Sequence, residues 1–164
     1  MYRAQPSQYF NSRTARNVLN DGRINWQKLL CLAAVKIITF LRSLIDQRRR
    51  LALIIDDTLI TRPYSTKTEL LTRTFDHDHQ YVTGYRNLTI GWSDGNTFLP
   101  VNLALMSTRK KANLVGAQAA VTDQRTMAGQ RRNQAQRKMN DVVLDLISQA
   151  LHLGITAKYV LFDS

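Results

Sequence analysis

Apolar positions recur with two different periods along this chain, and the changes of period mark out its elements. Leu30, Ala33, Ala34, Ile37, Ile38, Leu41, Leu44 and Ile45 follow three- and four-residue spacing, which predicts a helix over 25–48 with one apolar face. Arg48, Arg49 and Arg50 would close it, where positive charge suits a helix C-terminus. A shorter helix is predicted over 12–19, stopped by Asn20-Asp21-Gly22. Leu51 to Ile55 is a continuous apolar run, which reads as a strand buried on both faces. A polar connection begins at Thr61-Arg62-Pro63. Two strands, 88–92 and 98–106, flank Ser93-Asp94-Gly95-Asn96, a hairpin turn signal. Met139, Val142, Val143, Leu146, Ile147, Ala150 and Leu151 share one face of a helix over 140–153, with Gly154 as its stop. A last strand, 157–162, runs into Asp163. Trp26, at the start of the long helix, and Trp92, in a strand, read as core residues.

Composition leaves that outline intact and adds a charge. The 164 residues hold 44% hydrophobic and 21% charged residues, ordinary for a globular chain. The net charge of +11 is not ordinary, and a soluble chain this basic usually meets phosphate. Between 109 and 138 there are eight basic residues, Arg109, Lys110, Lys111, Arg125, Arg131, Arg132, Arg137 and Lys138, against one acid, Asp123. That stretch reads as an exposed, partly helical, basic insertion that contacts double-stranded DNA, with binding that weakens steeply with salt. Cys31, the single cysteine, excludes an internal disulfide and a cysteine-based zinc site, and sits in an apolar run as a buried thiol. The apolar stretch 29–41 carries Lys36 and is too short to span a bilayer. With no secretory signal visible, a cytoplasmic protein with no membrane partner is the simplest reading.

Two of the strands deliver carboxylates. Leu51 to Ile55 leads into Asp56-Asp57, and 157–162 leads into Asp163. The order of strand, hairpin pair, helix and strand matches a ribonuclease-H-like α/β fold, a mixed sheet with flanking helices, in which the first and fourth strands lie side by side. Carboxylates at the ends of such neighbours would converge on Mg²⁺ or Mn²⁺, which take hard oxygen ligands. Two such ions can activate a water or hydroxyl and stabilise the leaving oxygen of a phosphodiester.

The runs Ile54-Ile-Asp-Asp-Thr58, Tyr81-Val-Thr-Gly-Tyr-Arg-Asn-Leu-Thr-Ile-Gly-Trp-Ser-Asp-Gly95, Phe98-Leu-Pro-Val101 and Tyr159-Val-Leu-Phe-Asp-Ser164 resemble the DDE transposases of bacterial insertion sequences. The resemblance implies that Asp57, followed by Thr58, and Asp163 are the first two catalytic, metal-binding carboxylates, with Asp56 a rival to Asp57. It implies a third, a glutamate on a later helix. The only glutamate is Glu69, just after the first strand, where it reads as a solvated loop residue. The expectation is therefore a truncated transposase. Residues 1–48 would form a helical N-terminal segment, and 49–164 an incomplete catalytic domain with the insertion at about 109–138. A homodimer, or pairing with an intact transposase, would fit such a chain. The rival reading is a non-catalytic DNA-binding remnant or regulator. Phe75-Asp-His-Asp-His79 alternates imidazole and carboxylate, but two histidines make a weak zinc site and a polar loop or strand edge is preferred. His152 reads as a structural residue at a helix C-terminus.

Overall fold

The computed structural model describes residues 10–46, 48–76, 78–117 and 123–162. Two helices come first, α1 (Ser12–Leu19) and α2 (Trp26–Arg42), capped by the side chains of Asn11 and Asn25, which accept from Thr14 N and Lys28 N. Strands β1 (Ala52–Thr61), β2 (Thr72–Phe75), β3 (Tyr81–Ser93) and β4 (Phe98–Met106) follow. After a single 3₁₀ turn at Lys111–Asn113 come α3 (Met127–Ala135), α4 (Met139–His152) and β5 (Tyr159–Phe162). At Gly154 φ is +90°, a conformation glycine adopts without strain, so α4 stops there.

The sheet is organised around β1 and β3. Their antiparallel register runs without interruption from Ala52↔Ser93 to Thr61↔Gly84. A Cβ at Gly84 would collide with the Ile60 carbonyl, so this close approach requires glycine. The opposite edge of β3 is shared: β2 pairs with its beginning, from Phe75↔Tyr81 to Thr72↔Gly84, and β4 with the remainder, from Arg86↔Met106 to Ser93↔Phe98. The free edge of β1 accepts β5 in parallel, from Ala52↔Tyr159 to Ile55↔Phe162. A parallel neighbour needs a long crossover, and the chain between β4 and β5 provides it through α3 and α4. The result is the mixed sheet with flanking helices of a ribonuclease-H-like domain.

One face of the sheet carries the core. Leu53 of β1, Leu88, Ile90 and Trp92 of β3, and Val101 of β4 pack with Cys31, Ala34 and Ile38 of α2 and Val142, Leu146 and Ala150 of α4. The α4 face matches the sequence pattern except at Leu151, which is exposed.

Several expectations are corrected. Helix α2 ends at Arg42 rather than 48: Ser43 Oγ donates to the Phe40 carbonyl (2.6 Å) and Leu44 N to the Leu41 carbonyl (2.8 Å), a three-residue turn that breaks the helical ladder. Its buried stripe is Gln27, Cys31, Ala34 and Ile38, whereas Ala33, Ile37 and Leu44 are exposed. The helix is apolar on most sides, so periodicity does not fix its rotation. Two hydrogen bonds do: Gln27 Nε2 donates to the Leu103 carbonyl (2.5 Å) and Cys31 Sγ to the Val101 carbonyl (3.2 Å), both on β4. Burial pushes the Cys31 thiol up from its ordinary pKa, keeping it protonated. Trp26 is not core but 40% exposed, while Trp92 is fully buried.

Strand β1 continues beyond Ile55 to Thr61, and only Ala52 and Leu53 of it are buried, because the helices cover one face of the sheet and not both. The β2–β3 hairpin, absent from the sequence reading, has Asp76 at its turn, where Oδ1 accepts from Asp78 N (3.0 Å) and Gln80 N (2.8 Å). His79 sits in that turn with φ of +56°, and His77 lies outside the described residues. Asp76, Asp78 and His79 thus lie in a polar hairpin loop, and among the described residues no group of three or more His, Cys, Asp or Glu side chains is placed to hold a metal ion.

At the β3–β4 turn, Asp94 is buried. Its Oδ1 accepts from Asn96 N (3.0 Å) and Thr97 N (2.7 Å), and its Oδ2 pairs with Arg49 (2.8 Å). Burial alone would raise its pKa; the Thr97 and Asn96 amides and the Arg49 guanidinium together outweigh that and hold the carboxyl below its ordinary value.

A depressed folded-state pKa means that Asp94 contributes stability fully present above the unfolded carboxylate pKa of about 4 and lost as pH falls through the lower folded value. Asp94→Asn should therefore lower Tm at pH 7 and flatten its fall below about pH 4, read from melting curves between pH 2 and 7. In the core, Leu146→Ala should cost about 2–5 kcal/mol in urea titration. Leu144→Ala, on the exposed side of the same helix, should stay within about 0.5 kcal/mol.

Candidate active site

Both acidic residues of the Asp56-Asp57 pair lie in the middle of β1, and successive strand residues face opposite sides of a sheet. Asp57 shares the helix-covered side with Leu53, and its register partner is the buried Leu88. Asp56 faces the other way, is exposed, and accepts a hydrogen bond from the Thr58 hydroxyl (2.9 Å). The two carboxylates therefore point to opposite faces rather than acting as a pair. Asp163 lies outside the described residues. The residue before it, Phe162, pairs with Ile55, immediately ahead of Asp56 on the neighbouring strand.

Asp57 has a partner that the sequence reading did not assign. Arg86 Nη1 donates to Asp57 Oδ2 at 2.7 Å, and its Nη2 donates to the Phe75 carbonyl at 3.3 Å. The two side chains are 36% and 34% exposed, so solvent reaches the pair. Arg86 sits diagonally across from Asp57, two positions from its register partner, a spacing at which long side chains meet on one face. Only the extension of β3 back to Tyr81 brings Arg86 into that register, and a strand read as 88–92 leaves it out.

The basic stretch is less uniform than its composition. Arg125 pairs with Asp123 (3.0 Å), Arg132 with Glu69 (2.7 Å) and Arg137 with Asp145, so three of the eight cations meet carboxylates. Glu69 is accordingly not a solvated loop residue but a partly buried anchor for α3. Arg109 Nε donates to the Gln136 carbonyl (2.6 Å). Arg131 is half-buried and bonds to amide oxygens, Gln134 Oε1 (2.7 Å) and Asn25 Oδ1 (3.4 Å), with burial lowering its pKa from the ordinary guanidinium value. Lys110, Lys111 and Lys138 are exposed. Nor is the stretch wholly exposed: Gly129, Gln134 and Ala135 of α3 are buried, and Ser107 N donates to the Ala135 carbonyl (2.7 Å) at the end of β4. Arg131 borders a cleft of about 420 Å³ that Trp26, Tyr85 and Leu103 also line. His152 Nδ1 lies 2.7 Å from the Ser148 carbonyl, one turn back on α4, in keeping with a structural role.

Carboxylate oxygen is the kind of donor a hard divalent ion takes. Asp57 offers carboxylate oxygen at a partly solvated point beside the β5 edge, with Asp56 on the reverse face. No described helix is long and apolar enough to cross a membrane.

Comparison with known families agrees with this arrangement. No curated protein and no solved structure matches the chain. A family model described as DDE superfamily endonuclease matches residues 4–164, nearly the whole length. Members of that family act on DNA with divalent metal ions. With a match over nearly its whole length and a mixed sheet whose β1 and β5 run in parallel, the chain belongs to the DDE superfamily endonucleases.

Proposed function

We propose that this chain supplies the carboxylate-bearing strands and the DNA surface of an insertion-sequence transposase, which hydrolyses element ends and joins them to target DNA. The observation that carries the reading is the parallel pairing of β1 with β5, which sets the strand leading to Asp163 alongside the strand that holds Asp57. Asp57 and Asp163 are the proposed ligands of Mg²⁺ or Mn²⁺. The bound ions would activate the attacking water or hydroxyl and stabilise the leaving oxygen. Glu69 pairs with Arg132 of α3 and is not among the proposed ligands. Arg109, Lys110, Lys111, Lys138 and Arg131, which meet no carboxylate among the described residues, are the proposed phosphate contacts, ahead of Arg125, Arg132 and Arg137.

A second reading is a DNA-binding protein without catalysis, which occupies element ends or pairs with an intact transposase. The ion-paired state of Asp57 favours it, since a carboxylate held by a guanidinium serves structure without any metal.

Nicking of a plasmid carrying the element ends by this protein in Mn²⁺ separates the two. Under the first reading Asp57→Asn lowers nicking by about 100-fold or more, the scale of losing an essential electrostatic contact, and leaves DNA retardation unchanged. Undiminished nicking by that variant removes Asp57 from the chemistry; chelator-insensitive DNA binding with no nicking selects the second reading. For the DNA surface, Lys110→Ala with Lys111→Ala should reduce the slope of log affinity against log salt by about 1.8, two phosphate contacts' worth. Arg125→Ala, already neutralised by Asp123, should change it far less.

A further inference from the structure

Asp57 is the proposed ligand of a dication, yet it already holds a cation. Its Oδ2 receives Arg86 Nη1 at 2.7 Å, and no other ion pair to Asp57 forms among the described residues. A guanidinium has five donors and no acceptor, so it cannot share a metal's coordination sphere and can only compete for the oxygen. Asp56, one residue earlier, meets only the Thr58 hydroxyl among the described residues. The arginine is thus aimed at one carboxylate of the two, the one on the helix-covered side.

We propose that Arg86 is a placeholder that holds the Asp57 carboxylate in the metal-free protein and must leave it when a divalent ion binds there. The inference rests on the reading of Asp57 as a metal ligand. Three features make the exchange feasible. First, Arg86 reaches the Asp57 carboxylate from the diagonal position on β3 and supplies a counter-charge in the absence of metal. Second, both side chains are about one-third exposed, so water can replace the lost contact and the pair is of the weak, solvent-screened kind. Third, Arg86 Nη2 has its own anchor, the Phe75 carbonyl at the end of β2, so the guanidinium keeps one partner after it gives up Asp57. Its charge then stays beside the site, free of its carboxylate.

The consequence is a metal affinity set below what the carboxylate could reach alone. Titration of Mn²⁺ followed by the electron paramagnetic resonance of the free ion tests this on four proteins: wild type, Arg86→Gln, Arg86→Lys and Asp57→Asn, each checked for folding by circular dichroism. Arg86→Gln should bind Mn²⁺ about fivefold more tightly than wild type, the upper end of what removing one screened cation from the carboxylate gives. Arg86→Lys, which keeps the charge, should remain within about threefold of wild type, and Asp57→Asn should lose the site. Wild-type affinity or weaker in Arg86→Gln, with Asp57→Asn still losing the site, overturns the placeholder and leaves the metal-ligand reading standing. Unchanged binding in Asp57→Asn removes the reading itself. An Arg86→Gln protein that fails to fold shows a structural arginine and overturns the placeholder too.

Discussion

The pairing of β1 on both of its edges is the constraint on which the rest of the structure depends. One edge runs antiparallel to β3 over the strand's whole length; the other takes β5 in parallel over its first four residues. The parallel neighbour forces a crossover, so α4 has to lie over the sheet, and its Val142, Leu146 and Ala150 then close the core with α2. Register carries the chemistry as well. A slip of one residue would send every β1 side chain to the opposite face, exchanging Asp57 for Asp56 on the helix-covered side. Leu53, fully buried on the helix-covered side, opposes that slip, because it would be turned out of the core.

Electrostatics then distribute a strong positive excess unevenly. Carboxylates are scarce, and most of those described are engaged locally: Asp94 with Arg49 at the β3–β4 turn, Glu69 with Arg132, Asp145 with Arg137, Asp57 with Arg86. The first of these is buried on its acidic side and ties the start of β1 to the hairpin; the others are partly exposed and weaker. Among the cations that meet no carboxylate in the described residues are the exposed Arg109, Lys110, Lys111 and Lys138, around the 3₁₀ turn and the start of α4, together with the half-buried Arg131. An uncompensated set of this kind gains most from phosphate, which connects the charge of the chain to the DNA substrate of its family.

Much of the fold was legible from local pattern. Helix α1, strand β4 and the Asp94-Gly95 hairpin fall where turn and cap residues predict them, and α4 falls within one residue of its pattern, because each is specified by neighbours in sequence. Strand β2 and the first half of β3 were not legible. Thr72-Arg-Thr-Phe75 and Tyr81 to Asn87 mix polar and apolar residues without a clean alternation, and they become strands only by pairing with each other and with β1. The rotation of α2 was hidden for the opposite reason: it is apolar nearly all round, and the bonds from Gln27 and Cys31 to β4 choose its buried side.

The sequence by itself determined the order of elements, the excess of positive charge and the presence of aspartates at strand positions, since each is written in residues close together along the chain. The tertiary structure decided what those residues meet. That β5 joins β1 in parallel, that Asp56 and Asp57 face opposite sides, that Arg86 reaches Asp57 and Glu69 reaches Arg132 all follow from register and crossover between segments far apart in the chain. Such contacts are fixed by backbone pairing and the burial of one sheet face, and no local pattern carries them.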